Sequence, residues 1–202
     1  MAARLALAGV VLYAIIDTLL LFLRPQFSFL HNAESDYGSA GSWAWVMDVN
    51  FVLRCALSLA VVGAVAVTAA KSLRLQVALA LLVIWALGSG VLALFPDDPA
   101  GTALHTSGTI HLAIAFVAFF AVLVGTILGS LALQSQPRWR RFATPMAVLS
   151  WGALVPFLLL GRAGFSPHSL GGLYEKIFLG MELLWLALVA AVVASGRGEV
   201  LE

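Results

Sequence analysis

Six long apolar segments constrain the fold of this 202-residue chain more than any other feature. Each is long enough to cross the roughly 30 Å hydrocarbon core of a bilayer, which takes about 20 residues of α-helix. Because a chain in lipid must satisfy its backbone hydrogen bonds internally, such segments predict helices. We therefore expect an all-α, polytopic integral membrane bundle of about six transmembrane helices, forming a single transmembrane domain over residues 1–202. The predicted spans lie near 4–23, 43–70, 75–95, 106–133, 142–161 and 172–195.

Composition agrees with this fold and excludes other classes. Hydrophobic residues make up 62% of the chain and charged residues 10%, against about 45–50% and 25% in soluble domains. A net charge of +1 gives no basic face for nucleic acid, which we do not expect as a partner. The expected partners are membrane lipid and a lipid-like or small-molecule ligand. Cys55, the one cysteine, cannot form a disulfide within the chain.

Basic residues predict how the chain is oriented. An even number of spans puts both termini on one side, and that side has seven Lys and Arg residues against two in the opposite loops. By the positive-inside rule, both termini are cytoplasmic and loops 24–42, 96–105 and 162–171 lie outside, in a multi-pass protein of the plasma membrane. The seven residues are Arg4, Lys71, Arg74, Arg138, Arg140, Arg141 and Arg197.

Acidic and histidine side chains collect in the predicted outer half. Eight of the ten acids and all four histidines lie there, in loops or in the outer parts of spans. A charge facing lipid costs about 2.5–3.5 kcal/mol even on a lenient insertion scale, so these groups should face one another or water. We expect an outward-facing polar pocket of His, Asp and Glu side chains.

Arg54 is the basic residue deepest in the outer half, about eleven residues into the second span. Asp17 and Glu182 lie at comparable depth, and we expect Arg54 to pair with one or both because an unpaired buried cation is costly. Glu175 precedes Glu182 by seven residues, so the two share a helix face. These four residues are candidates for ligand binding; the alternative is an ion pair that fixes helix packing.

The loop before the fourth span suggests metal chemistry. This loop is acidic, is broken by proline and glycine, and brings histidines to the start of a helix. Imidazole and carboxylate groups are suitable ligands for a divalent metal such as zinc. His105 and His111 are six residues apart, so they can share an ion only if the helix starts after His105; histidines that cap the loop and bond across helices are the alternative. The candidate ligands are His31, His105 and His111, and the candidate catalytic acids are Asp36, Asp97 and Asp98.

Ser107 is a further catalytic candidate. It lies four residues before His111 on the same helical face, where a hydroxyl can approach an imidazole as in serine-nucleophile activation. The alternative is a hydroxyl that bonds within the membrane helix.

Three short motifs carry a resemblance to a known family. The run Asn32-Ala33-Glu34-Ser35-Asp36-Tyr37-Gly38 resembles the Asn-x-x-Ser-Asp-x-Gly pattern of the DUF998 family of small polytopic membrane proteins. Phe95-Pro96-Asp97-Asp98 followed by His105 resembles its Phe-Pro-x-Asp…His segment, and Gly172–Lys176 resembles its Gly-x-x-Glu-Arg segment with lysine in place of arginine. The resemblance implies a six-helix membrane protein without a settled activity. It supports the importance of Asn32, Ser35, Asp36, Asp97, Asp98, His105 and Glu175.

Together these residues predict binding of a small or lipid-like ligand in the outer pocket, in one version with metal-dependent hydrolysis. Asn32 and Ser35 are candidate ligand-binding residues, with a solvated turn or Asx cap as the alternative. A proton-coupled transporter or carrier, with Asp17, Arg54 and Glu182 as a midplane relay, is an alternative function. A structural membrane subunit is another.

Overall fold

The chain folds into a helical bundle, which a computed structural model describes over residues 1–99, 101–166 and 168–196. Within these ranges the regular structure is helical throughout, with no strand. Six helical segments of the described chain are long and apolar enough to cross a membrane, as expected. The seven α-helices are α1 (Ala2–Leu23), α2 (Ala44–Thr68), α3 (Leu73–Leu92), α4 (Thr106–Leu133), α5 (Ala143–Gly152), α6 (Leu154–Ala163) and α7 (Gly171–Ser195).

The fifth span is broken into two helices. A 3₁₀ helix over Pro137–Phe142 leads into α5, and α5 meets α6 at Ala153. Pro156 has no N–H to donate to the carbonyl four residues before it, so the regular bonding pattern is interrupted there. The Ala153 N–H still donates to the Leu149 carbonyl at 3.1 Å, and the span continues to Ala163.

Buried tryptophans with hydroxyl partners join the helices in the core. Trp85 of α3 donates to Ser58 of α2 at 3.1 Å, and Trp185 of α7 donates to Ser130 of α4 at 2.8 Å. Because an indole N–H left unpaired in this interior would be costly, these bonds fix how the helices face one another.

The first loop, between α1 and α2, folds into the bundle instead of lying in solvent. Its residues 33–39 are buried, with a 3₁₀ helix over Ser35–Gly38. The Leu173 N–H of α7 donates to the Leu30 carbonyl at 3.0 Å. A Cβ on Gly172 would lie 2.2 Å from the Asn32 carbonyl oxygen, so this close approach requires glycine. The loop therefore closes this end of the bundle against α7.

Candidate functional site

Arg54 lies at the centre of the buried polar groups and is 1% exposed. Its guanidinium donates to the Tyr13 hydroxyl and to the Ser89 hydroxyl, each at 3.0 Å, and lies 3.4 Å from the Glu34 carboxylate. The Tyr13 hydroxyl in turn donates to Glu34. The guanidinium carbon also lies 4.7 Å from the centroid of Trp85, a cation–π arrangement. This centre joins α1, α2, α3 and the first loop.

The partner of Arg54 differs from the expectation. Its ion pair is with Glu34 of the first loop, and the expected pairing with Glu182 is not formed. Glu182 is fully buried, and neither of its carboxylate oxygens has a hydrogen-bond partner among the described residues. Asp17 forms no ion pair with Arg54 and adjoins the pair through the cavity that it lines together with Glu34. The pairing differs because the first loop inserts into the bundle and brings Glu34 next to Arg54, a tertiary contact that the positions of the helices do not reveal.

The loop that carries Glu34 is fixed by α7 and by its own side chains. Glu175 accepts a hydrogen bond from the Glu34 N–H at 2.7 Å, and Lys176 donates to the Asn32 carbonyl at 2.8 Å. The Asn32 side chain donates to Asp36 at 2.6 Å. Asn32, Asp36 and Glu175 therefore hold the loop in the conformation that places Glu34.

A second group of polar side chains adjoins this centre. Ser35 donates to the Asp97 carboxylate at 2.5 Å, and His111 Nε2 lies 3.8 Å from the same carboxylate oxygen. His111 Nδ1 lies 2.7 Å from the Phe95 carbonyl oxygen, which can only accept, so Nδ1 carries the proton. His111 is 1% exposed, and its Nε2 has no hydrogen-bond partner among the described residues.

A cavity of about 10 Å³ lies between the two groups, room for about one water molecule. Glu34, Ser35, Arg54, His111 and Glu175 are among the residues that line it. We call the whole assembly the outer polar cluster, after the side on which the basic residues of the sequence predict it. Its members are Tyr13, Asp17, Glu34, Ser35, Asp36, Arg54, Asp97, His111 and Glu175.

Three larger cavities adjoin the cluster. One of 330 Å³ is lined by Asp36, Asp97 and Asp98, and one of 380 Å³ by His31 and Asn32, with other residues. The third, of 180 Å³, lies between α1 and α7 and has Glu34 in its lining. Members of the cluster line the first and the third of these cavities, so the cluster is reached from two directions.

Asp98 and His105 form a separate pair at the start of α4. One Asp98 oxygen accepts the His105 N–H at 2.6 Å, and the other lies 2.9 Å from His105 Nδ1. Both bonds hold the pKa of Asp98 below its ordinary value of 3.8, and the bond from the His105 backbone N–H has the larger effect. A Cβ on Gly108 would meet the carboxylate at 2.2 Å, so Asp98 packs directly on the first turn of α4. The pair caps the helix, since an anion is favourable at a helix N-terminus.

The predicted metal site is not supported. His31 Nδ1 lies 2.6 Å from the Ser169 carbonyl oxygen, whereas His105 and His111 face Asp98 and Phe95 as described. Across the described ranges, no group of three His, Cys, Asp or Glu residues is arranged to hold a metal ion. Each histidine is turned to a different loop partner, which keeps the three rings from forming one ligand set.

The expected approach of Ser107 to His111 is also not formed. The Ser107 hydroxyl donates to the Pro96 carbonyl at 3.0 Å, and His111 bonds to the neighbouring Phe95 carbonyl. Both side chains hold the 95–96 turn against α4, and the serine found near His111 and Asp97 is Ser35.

Three members of the Arg54 centre were not anticipated as site residues. They are Tyr13, Glu34 and Ser89. Tyr13 lies four residues before Asp17 on one face of α1, a spacing that pointed to a shared polar face. No comparable pattern indicates Glu34, whose role depends on how the loop inserts.

Comparison with known proteins assigns the family but no activity. A family model described as a protein of unknown function, DUF998, matches residues 7–192. No curated protein and no solved structure matches the chain. The match covers most of the sequence and includes the motifs in the first loop, before α4 and at the start of α7. The chain therefore belongs to the DUF998 family of proteins of unknown function.

Proposed function

We propose that this membrane protein binds a small or lipid-like polar ligand at the outer polar cluster. The observation that carries the proposal is His111 Nε2, a buried hydrogen-bonding atom without a partner in the described chain, on a cavity shared with Arg54 and Glu34. In a network that serves stability alone, buried polar atoms are paired in the great majority of cases. A ligand or the water it displaces would supply the missing partner.

The charges of the cluster favour a ligand with a cationic group. Five carboxyl groups belong to the cluster, and Arg54 is its one fixed cation among the described side chains, with Lys176 alongside. Arg24, the other buried cation at this end, donates to backbone carbonyls of residues 37, 39 and 40 and not to these acids. Carboxyl groups therefore outnumber cations in a poorly hydrated place, and a bound cation stabilises their ionised forms. The five acids are Asp17, Glu34, Asp36, Asp97 and Glu175.

We place the outer polar cluster on the outside of the plasma membrane and both termini in the cytoplasm. The support is the basic residues at the opposite end of the bundle, where the side chain of Gln136 bonds to both backbone groups of Ala70 and so joins the two basic loops. Of the seven residues behind this expectation, Arg197 lies outside the described ranges.

Binding is favoured over the alternatives by the contacts themselves. A midplane relay through Asp17, Arg54 and Glu182 needs Arg54 and Glu182 together, and they are not paired. Metal-dependent hydrolysis needs a ligand set that the described side chains do not form. A purely structural subunit would pair this His111 nitrogen with a water in the 10 Å³ cavity, and the probes below distinguish that water from a ligand.

The test compares two substitutions of His111 in the purified full-length protein. His111→Asn keeps an amide N–H near the position of Nδ1, where it can reach the Phe95 carbonyl, but has no polar atom at the position of Nε2. His111→Gln has an amide group near the position of Nε2 but loses the hydrogen bond to Phe95. Thermal unfolding is followed with ethanolamine, phosphoethanolamine, dihexanoyl phosphatidylethanolamine and dihexanoyl phosphatidylglycerol as probes. We expect at least one probe to raise the unfolding midpoint of the original protein and to lose most of this effect in His111→Asn. If no probe raises the midpoint, or if His111→Asn responds as fully as the original protein, the proposal is wrong.

A further inference from the structure

The 180 Å³ cavity between α1 and α7 is a cleft with polar and apolar walls. Tyr13, Asp17 and Glu34 supply acidic and hydroxyl groups, and Lys176 of α7 supplies a cation. Leu179, Gly180 and Leu183 complete the α7 wall, following Lys176 along one helix face. The volume is below the 300–1,000 Å³ usual for a pocket that encloses a whole drug-sized ligand, so it suits one polar group of a larger molecule.

The mouth of the cleft is bordered by lipid-facing residues. Ala14 and Thr18 line the cleft and are exposed. Beside them on the same two helices, Ile15 is 57% exposed and Leu184 is 57% exposed. Both helices are long and apolar enough to cross a membrane, so the cleft opens sideways toward lipid.

The charged groups of the cleft lie at one depth. Asp17 is six residues from the end of α1 and Lys176 five residues from the start of α7, which places both about 8–9 Å below the ends of their helices. The α7 helix, with 25 residues, is longer than the roughly 20 needed to span the hydrocarbon core. Asp17 and Lys176 are therefore near the boundary between headgroups and acyl chains.

Asp17 and Lys176 face the same cleft without pairing with each other. Neither forms an ion pair within the described residues, although each lines the cavity. Lys176 donates to the Asn32 carbonyl at 2.8 Å and to the Gly172 carbonyl at 3.5 Å, and its Nζ also lies 5.2 Å from the ring centroid of Phe29 and 5.6 Å from that of Tyr37. Its third N–H has no hydrogen-bond partner among the described residues. Asp17 and Glu34 both line the cleft, and a group with several N–H donors can bind two carboxyl groups at once.

We propose that the α1–α7 cleft binds the headgroup of an amine-bearing phospholipid that enters sideways from the outer leaflet. Its ammonium group lies between Asp17 and Glu34, and its phosphate lies against Lys176. The proposal rests on the proposed function, because Glu34 belongs both to the cleft and to the outer polar cluster. It adds the chemical class of the ligand and its route.

The experiment measures lipid adducts of the purified full-length protein by native mass spectrometry in mixed micelles. Phosphatidylethanolamine, phosphatidylglycerol and phosphatidylcholine are added separately, and soluble phosphoethanolamine tests the headgroup without its chains. We expect phosphatidylethanolamine to bind about tenfold more tightly than phosphatidylglycerol, which has no amine for the acids. We also expect it to bind more tightly than phosphatidylcholine, whose quaternary ammonium has no N–H, and more tightly than the free headgroup.

Two variants test the location of binding, each with a matched control. Gly180→Leu fills the cleft, since nothing lies within 4 Å of a Cβ built there, and Gly161→Leu makes the same change at an equally open position of α6. Asp17→Asn removes a cleft charge, and Asp48→Asn removes a part-buried charge of α2 that does not line the cleft. We expect Gly180→Leu and Asp17→Asn to weaken phosphatidylethanolamine binding about tenfold or more, and the controls to leave it unchanged.

The outcomes separate this proposal from the broader one. Equal binding of the three phospholipids, equal binding of free phosphoethanolamine, or full binding by Gly180→Leu overturns the cleft proposal. A probe that still stabilises the protein through His111 would then leave the broader function in place. If Gly180→Leu fails to fold, Asp17→Asn and the lipid preference of the unaltered protein still decide the matter.

Discussion

Arg54 and Glu34 form a buried ion pair, with 3.4 Å between the guanidinium nitrogen and the carboxylate oxygen. Arg54 comes from a membrane-spanning helix, and Glu34 from a loop that would be expected to lie outside. The Tyr13 hydroxyl bonds to both of them. The pair therefore attaches the inserted loop to α1 and α2, so the outer polar cluster and the loop form together.

Removing one partner of this pair should be strongly destabilising. Glu34→Gln leaves the Arg54 charge buried without its counter-ion, which costs about 3–5 kcal/mol when both groups are desolvated. Tyr13→Phe removes a hydroxyl but no charge and should cost about 1 kcal/mol. Equilibrium unfolding of the purified protein in detergent measures both. An effect of Glu34→Gln no larger than that of Tyr13→Phe would contradict the assigned pair.

The close approach of α7 to the first loop gives a second expectation. Gly172→Ala puts a Cβ 2.2 Å from the Asn32 carbonyl oxygen, so the loop must move away from α7. We expect a loss of about 1–3 kcal/mol, as for other overpacked positions. Faster amide exchange in residues 30–38 should accompany it.

Gly63→Ala is the control for this change. Nothing lies within 4 Å of a Cβ at Gly63 of α2, and alanine is the better helix former. It should leave both stability and loop exchange unchanged or slightly improved. Normal loop exchange in Gly172→Ala would show that the loop does not pack on α7 in this way.

The helices were predictable from sequence because hydrophobicity alone determines where a chain crosses lipid. All six spans lie within a few residues of the apolar segments, apart from an earlier start of the fifth at Pro137. The gathering of polar groups at one end was also predictable, since charges avoid lipid. The partner of Arg54 was not, because depth along a helix does not reveal that a loop inserts Glu34 between the helices. The histidines do not form one ligand set for a related reason: the carbonyls of residues 95 and 169 and the Asp98 carboxylate hold their Nδ1 atoms toward three different partners.

The cap on α4 should respond to acid. Hydrogen bonds from His105 hold the pKa of Asp98 below 3.8, so the folded chain binds this proton more weakly than the unfolded chain does. The contribution of Asp98 to stability is therefore complete above about pH 4 and is lost as the pH falls through the lowered pKa. Amide exchange in the first turn of α4 should rise over that range after correction for the intrinsic exchange rate.

Asp98→Asn tests whether the cap depends on the carboxylate. It should raise amide exchange in the first turn of α4 at neutral pH. It should also abolish the increase in amide exchange that acid causes there in the unaltered protein. Asp48→Asn, in a different helix, should leave that turn unchanged. A first turn of α4 that stays equally protected in Asp98→Asn would show that the carboxylate does not stabilise the cap.

The orientation of the bundle can be determined with single cysteines, because Cys55 is the one native cysteine. In a Cys55→Ser background, Thr102→Cys lies in the loop before α4 and Arg140→Cys in the 3₁₀ helix before α5, both at exposed positions. These positions lie at opposite ends of α4. If the positive-inside rule holds, a membrane-impermeant maleimide labels Thr102→Cys in intact cells but labels Arg140→Cys only after the cells are permeabilised. The Cys55→Ser protein without a new cysteine gives the background. The reverse pattern would put the outer polar cluster in the cytoplasm, and the amine-bearing lipid would then have to come from the inner leaflet.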